Sequence, residues 1–212
     1  MFYFGNLKPA DEQNYIKCII KKVIEKIYYN GKEPIDEKNE DEKIKKLKEL
    51  AFNMIWAAQQ FIREFSDKSA VSLREIRRVN IFYEFFYQYL TSRREFYIKE
   101  DQIQLFEDDY DFYKNLDDYS MQVYAINLSI FVCYYLRVTN KERRNELRNR
   151  MNAIFNNFDK KFESKDFLDL PLNEEKFIVN NIKLDKGIAK NRALLENIFS
   201  LFVGINSKVP IL

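Results

Sequence analysis

Apolar side chains recur along this chain at spacings of three and four, and the segments where they do so set out a series of helices. Over residues 11–29, Ile16, Ile19, Ile20, Val23, Ile24 and Ile27 share one helical face, and Asn30 with Gly31 closes the element. A second helix is predicted over residues 42–65, with Ile44, Leu47, Leu50, Ala51, Met54, Ile55, Ala58, Phe61 and Ile62 as its buried stripe and Trp56 on a flank. After a polar break at residues 66–70, Ser72 and Glu75 have the S-x-x-E spacing of a capping box. They open a third helix through Leu73, Ile76, Val79, Tyr83, Phe86 and Leu90, fraying near Thr91. Residues 92–118 mix charges with Phe96, Tyr97, Leu105, Phe106, Tyr110, Phe112 and Tyr113 without a period, which predicts a loop with short helices.

Two further helices are expected over residues 120–137 and 141–158. An acidic connector bearing Pro171 and a short helix over 174–181 follow. The last helix, over 188–206, should present Leu194, Leu195, Ile198, Leu201, Phe202 and Ile205 as its apolar face. Outside these elements, Phe2, Tyr3 and Phe4 before Gly5 and Pro9 form an aromatic stub and a turn, and the charged stretch 32–41 with Pro34 reads as a surface loop. Residues 208–212, KVPIL, read as the start of a buried strand without partners, the signature of a piece of something larger. No internal repeat is visible.

Composition strengthens the helical reading. Four Gly and four Pro among 212 residues supply too few turns for an all-β fold. A net charge of +2 leaves no electrostatic footprint for nucleic acid. Histidine is absent, which removes His-based triads, His general bases and most zinc sites, a RING finger included. Cys18 and Cys133 sit in apolar segments without ligand spacing and read as buried free thiols in a reducing compartment. The N-terminus lacks the pattern of a secretory signal, and the apolar run 124–136 falls short of the roughly 20 residues that span a bilayer. A cytoplasmic protein with no membrane span is expected.

Candidate chemistry centres on Arg74, Arg77 and Arg78, three cations in the first turns of the third helix. The helix dipole already places positive potential there, so an anionic partner would relieve the conflict. The competing reading is a solvated face, or pairing with Glu75 and Asp67. Glu107, Asp108, Asp109 and Asp111 are read as a solvated loop rather than a metal site, and the pairs Phe85-Phe86 and Tyr134-Tyr135 as core rather than a base-stacking platform. No catalytic residue and no metal ligand is assigned.

Four segments together resemble the mysterin family, giant RING-finger E3 ubiquitin ligases with dynein-like AAA+ modules. FGNLKPADEQNYIKCII is similar to the stretch beyond the large subdomain of one module. AAQQFIREF with VSLREIRRVNIFYEFF resembles its lid, and AINLSIFVCYYLRV is the third match. GIAKNRALLENIFSLFVGINSKVPIL is similar to the helix and strand that lead into the phosphate-binding loop of the following module, a G-x-x-x-x-G-K-[ST] segment that these residues do not contain. The resemblance covers about half of the residues, in order.

It implies an all-α, AAA+ lid-type helical bundle followed by a helical linker, with the start of the next module's first strand at the C-terminus. Residues 1–92 correspond to the lid, 93–118 to an irregular insertion, 119–185 to the linker, and 186–212 to the opening of the following module. SLREIRR resembles the sensor-2 motif, in which an arginine reaches the nucleotide phosphates. By position that arginine is Arg74, with Arg77 and Arg78 as weaker candidates. The implied role is a non-catalytic lid and inter-module coupler of an AAA+ ATPase and ubiquitin-protein transferase. ATP with Mg would be bound mainly outside these residues, and the partners would be neighbouring AAA+ modules and the ubiquitin machinery. The alternative is a self-contained helical module for protein–protein interaction. An isolated lid is expected to expose Phe2, Phe4, Val209 and Leu212 and to aggregate, whereas an independent module would be monodisperse.

Overall fold

Every regular element in the computed structural model is helical, and no strand occurs among the described residues, which are 8–29, 41–66, 71–99, 112–162, 165–185 and 187–210. Seven α-helices are labelled in chain order: α1 Pro9–Tyr28, α2 Glu42–Phe65, α3 Leu73–Lys99, α4 Asp118–Cys133, α5 Lys141–Phe158, α6 Asp169–Asn180 and α7 Arg192–Ser207. Short 3-10 turns at Tyr135–Arg137 and Lys160–Phe162 follow α4 and α5. The all-α expectation is borne out.

Local chemistry explains where most helices begin. Pro9 starts α1, where its missing N–H costs nothing. The side chains of Asp41, Asp117, Asn140 and Asn191 cap α2, α4, α5 and α7, accepting from the amides of Lys43, Ser120, Arg143 and Leu194 at 2.9, 3.0, 3.0 and 2.9 Å. The capping box of α3 is formed as the spacing predicts. Ser72 Oγ accepts from the Arg74 amide at 3.2 Å, and Glu75 Oε2 accepts from the Ser72 amide at 2.6 Å.

α4 is the axis of the fold, buried on every side from Tyr119 to Cys133. α3 lies along it in the most extensive helix–helix contact, while α2 and α6 cover other faces. α1 packs on α2 and α3, α5 on α2, and α7 on α6 and α3. One apolar cluster runs through all of these helices, from Ile16 of α1 through Met54, Phe86, Phe131 and Phe155 to Phe199 and Val203 of α7.

Several boundaries differ from the sequence reading. α3 does not fray at Thr91, whose hydroxyl donates to the Tyr87 carbonyl at 2.8 Å, but runs on to Lys99. The buried stripe of Phe86 and Leu90 continues as Arg93 and Tyr97, and a charged residue in that stripe hides the continuation. α6 starts at Asp169, with Pro171 inside its first turn, where proline is tolerated.

Three expectations of burial are corrected. Cys133 is buried, but Cys18 is exposed, since it lies about 200° around the helix from Ile16. α7 turns Phe199 and Val203 into the core with Ile198 and Phe202 at their flanks, while Leu201 and Ile205 are 63% and 66% exposed. Val209, expected to be exposed, is 9% exposed: Lys208 adopts the left-handed conformation (φ 57°), and the Val209 amide turns back to the Gly204 carbonyl at 3.1 Å. Phe2, Phe4, Ile211 and Leu212 lie outside the described residues, as do Asn30 and Gly31.

Candidate functional site

The first two turns of α3 place its three arginines in three different situations. Arg78 is half-buried and its guanidinium lies 3.9 Å from Glu75. Arg77 is exposed and donates from Nε to the Tyr15 hydroxyl on α1 at 3.1 Å. Arg74 is exposed, and its guanidinium makes no hydrogen bond or ion pair with any described residue. Glu75, the carboxylate nearest in sequence, is taken by others: it accepts from the amide and hydroxyl of Ser72 at 2.6 and 2.9 Å and pairs with Arg137 at 3.4 Å. Burial pushes the Glu75 carboxyl up, but the Ser72 donors and the Arg137 charge outweigh it and hold the group below its ordinary value. Asp67, the other carboxylate considered, lies outside the described residues.

Arg137 escaped the sequence reading because 62 residues separate it from Glu75; only the packing of the Tyr135–Arg137 turn beside the start of α3 brings them together. The resulting corner carries more guanidinium than carboxylate, with the Arg74 side chain exposed at a helix N-terminus whose Arg74 amide is already capped by Ser72. That donor set suits phosphate or carboxylate oxygens.

The other candidates fall elsewhere. Glu107, Asp108, Asp109 and Asp111 lie outside the described residues. Phe86, Tyr134 and Tyr135 are buried and Phe85 packs against the core, so these rings hold the fold together rather than face a ligand. Among the described residues no group of three or more His, Cys, Asp and Glu side chains is placed to hold a metal ion, and no helix is long and apolar enough to cross a membrane.

Two further charged clusters centre on the start of the short helix that the sequence predicts over 174–181. Glu174 and Glu175, both 0% exposed, project from α6 towards different partners. Glu174 accepts from Arg93 at 2.6 Å and Tyr89 at 2.8 Å, and from the Tyr113 hydroxyl. Glu175 accepts from both terminal nitrogens of Arg192, one of them at 3.2 Å. Arg192 Nε also donates to Glu196 at 2.8 Å, and Arg144 grips the same carboxylate at 2.6 and 2.9 Å.

Burial, with Glu196 nearby, pushes the Glu175 carboxyl up to about 7 despite the attraction of Arg192. A carboxyl whose pKa is raised by folding prefers its proton in the fold. Stability should therefore increase as pH falls from about 7 towards the ordinary value of 4.5, at about 1 kcal/mol per pH unit. Glu175→Gln is expected to flatten this slope and to stabilise the chain at pH 8. Urea midpoints at pH 5 and pH 8 check it, and an unchanged slope in the variant would refute the assignment.

Comparison with known proteins gives a consistent picture. The chain is 27% identical to the E3 ubiquitin-protein ligase rnf213-beta of Danio rerio across 98% of its length, and 27% identical to the E3 ubiquitin-protein ligase RNF213 of Homo sapiens across 98%. The mysterin resemblance is thus borne out, and it extends beyond the four segments that first carried it. The chain spans 4% of the length of each of these relatives. No protein-family model matches it, and no solved structure does.

Proposed function

We propose that this chain, similar from end to end to mysterin-type ubiquitin ligases, serves as the lid of one AAA+ module and the coupler to the next. Arg74 is its phosphate-contacting arginine. The observation that carries this reading is the state of Arg74. Of the three arginines in the sensor-2-like segment, it alone is exposed and without a partner among the described residues, and it sits at the start of α3 where the motif requires it. A guanidinium in that place would neutralise charge on the terminal phosphates and so link nucleotide state to lid position.

The residues present suit the phosphates better than the metal. Magnesium takes oxygen ligands, and the one described carboxylate at this corner, Glu75, is committed to Ser72, Arg78 and Arg137. ATP and its Mg would be held mainly by residues outside this chain, and these residues alone would hydrolyse nothing. Residues 208–212 would enter the first strand of the following module, whose partner strands would likewise come from elsewhere.

In the full-length protein, Arg74→Ala is expected to weaken ATP binding about tenfold or more, the cost of one charge-assisted hydrogen bond. Arg77→Ala, which removes a bond to Tyr15, should change it little. Titration with a fluorescent ATP analogue checks both; unchanged affinity in Arg74→Ala removes the sensor role.

The second reading, a self-contained interaction module, has one observation in its favour. Val209 is buried and a single apolar cluster joins α1 to α7, as expected of an independently folding unit. Sedimentation of the isolated chain separates the two: a monodisperse, cooperatively unfolding monomer favours the module, and aggregation favours the lid.

A further inference from the structure

The corner that holds Arg74 is joined to the last helix by a run of ion pairs and hydrogen bonds that passes through one stretch of backbone, Arg137–Val138. Glu75, fixed to the first turn of α3 through Ser72, pairs with Arg137 at 3.4 Å. The next residue, Val138, accepts through its carbonyl from Arg144 Nε. Arg144 then holds both oxygens of Glu196 on α7, at 2.6 and 2.9 Å. Glu196 shares Arg192 with Glu175, which returns the run to α6. The members come from α3, the turn after α4, α5, α7 and α6, so the line ties the first turn of α3 to four other parts of the fold.

We infer that this relay, with Arg144–Glu196 as its central link, couples the occupancy of Arg74 to the seating of α7. The proposal rests on the lid-and-coupler reading and names the residues that would carry the coupling. Arg144 suits the part. Its Nε is spent on Val138, just after the 3-10 turn, and its two terminal nitrogens on Glu196, so a shift of that segment relative to α7 strains one set of bonds or the other. The pair is mostly buried, with side-chain exposures of 18% and 13%, which shields it from the screening that weakens surface ion pairs. By contrast Lys26–Glu84 and Lys161–Asp117 are exposed to solvent. Linkage also requires reciprocity: whatever fixes α7 should in turn alter the affinity at Arg74.

The test is hydrogen exchange of the α7 amides in the full-length protein, with and without ATP, in three forms: the unmodified protein, Arg144→Ala and Glu196→Gln. ATP is expected to change α7 exchange about fivefold or more in the unmodified protein. That response should shrink below about twofold in each variant. Glu196→Gln preserves size and shape, so it answers the question even if Arg144→Ala fails to fold. A response undiminished in Glu196→Gln, or no α7 response in the unmodified protein while Arg74→Ala still weakens ATP binding, overturns the relay. Unchanged ATP affinity in Arg74→Ala refutes instead the reading on which it rests.

Discussion

Arg93→Ala is expected to destabilise the chain by about 3–5 kcal/mol, because it removes the guanidinium that pairs with the buried Glu174 carboxylate. Glu174 is 0% exposed and Arg93 8%, and their shortest contact is 2.6 Å. Around them the guanidinium lies between the ring of Phe177, 3.6 Å from its centroid, and that of Tyr113, at 3.9 Å, while Tyr89 and Tyr97 form the remaining wall. Inside such a cage the charges see little water, so removing one partner costs far more than the few tenths expected at an exposed pair such as Lys161–Asp117. Glu174→Ala should cost a similar amount. Replacing both members with Ala should cost less than the two single changes combined, since neither charge is then stranded. Denaturant unfolding of the three variants forms a double-mutant cycle, and strict additivity would show that the pair is not a unit.

Phe199→Ala is expected to cost about 3–5 kcal/mol, the range for a large aromatic removed from a closed core. Phe199 is 0% exposed, stacks on Phe86 at 6.1 Å and meets Phe131 edge-on at 5.9 Å, so it binds α7 to both α3 and α4. Leu201→Ala, only two residues away, should change stability by no more than about 0.5 kcal/mol. The comparison tests which face of α7 is inward. The apolar pattern of the sequence places Leu201 inside; thermal unfolding of the two variants would give the opposite ranking if that pattern were the right guide.

That reversal shows where sequence periodicity runs out. α1 and α2 have one apolar face each, and their buried residues follow from spacing alone. In α7, Leu194, Ile198, Leu201 and Ile205 form one helical stripe and Phe199, Phe202 and Val203 another, so spacing cannot choose between them. Burial decides, through the aromatic rings of α3 and α4. The candidate site divides in the same way. The capping box and its arginines are local, and Ser72, Glu75 and Arg74 are found where their spacing puts them. The partners of Glu75 and Glu174 are not local: Arg137 and Arg93 are brought to them by packing, and no short-range pattern announces a carboxylate whose countercharge lies on another helix. For the same reason Glu174 and Glu175 look like solvated residues in the sequence and are sealed inside the fold.

The enclosure of α4 also bears on how a resemblance should be weighed. An ordinary surface helix has an outward face on which substitutions accumulate at little cost. From Tyr119 to Cys133 there is no such face: every side chain abuts another, and even Gln122, Asn127 and Ser129 are engaged, bonded to Asp118, the Phe167 carbonyl and the Ala125 carbonyl. Random drift would therefore be filtered at every position there, whatever the protein does. A likeness to another protein along Tyr119 to Cys133 would therefore report a shared skeleton, whereas one at the exposed Arg74 would have no packing reason and would speak to use.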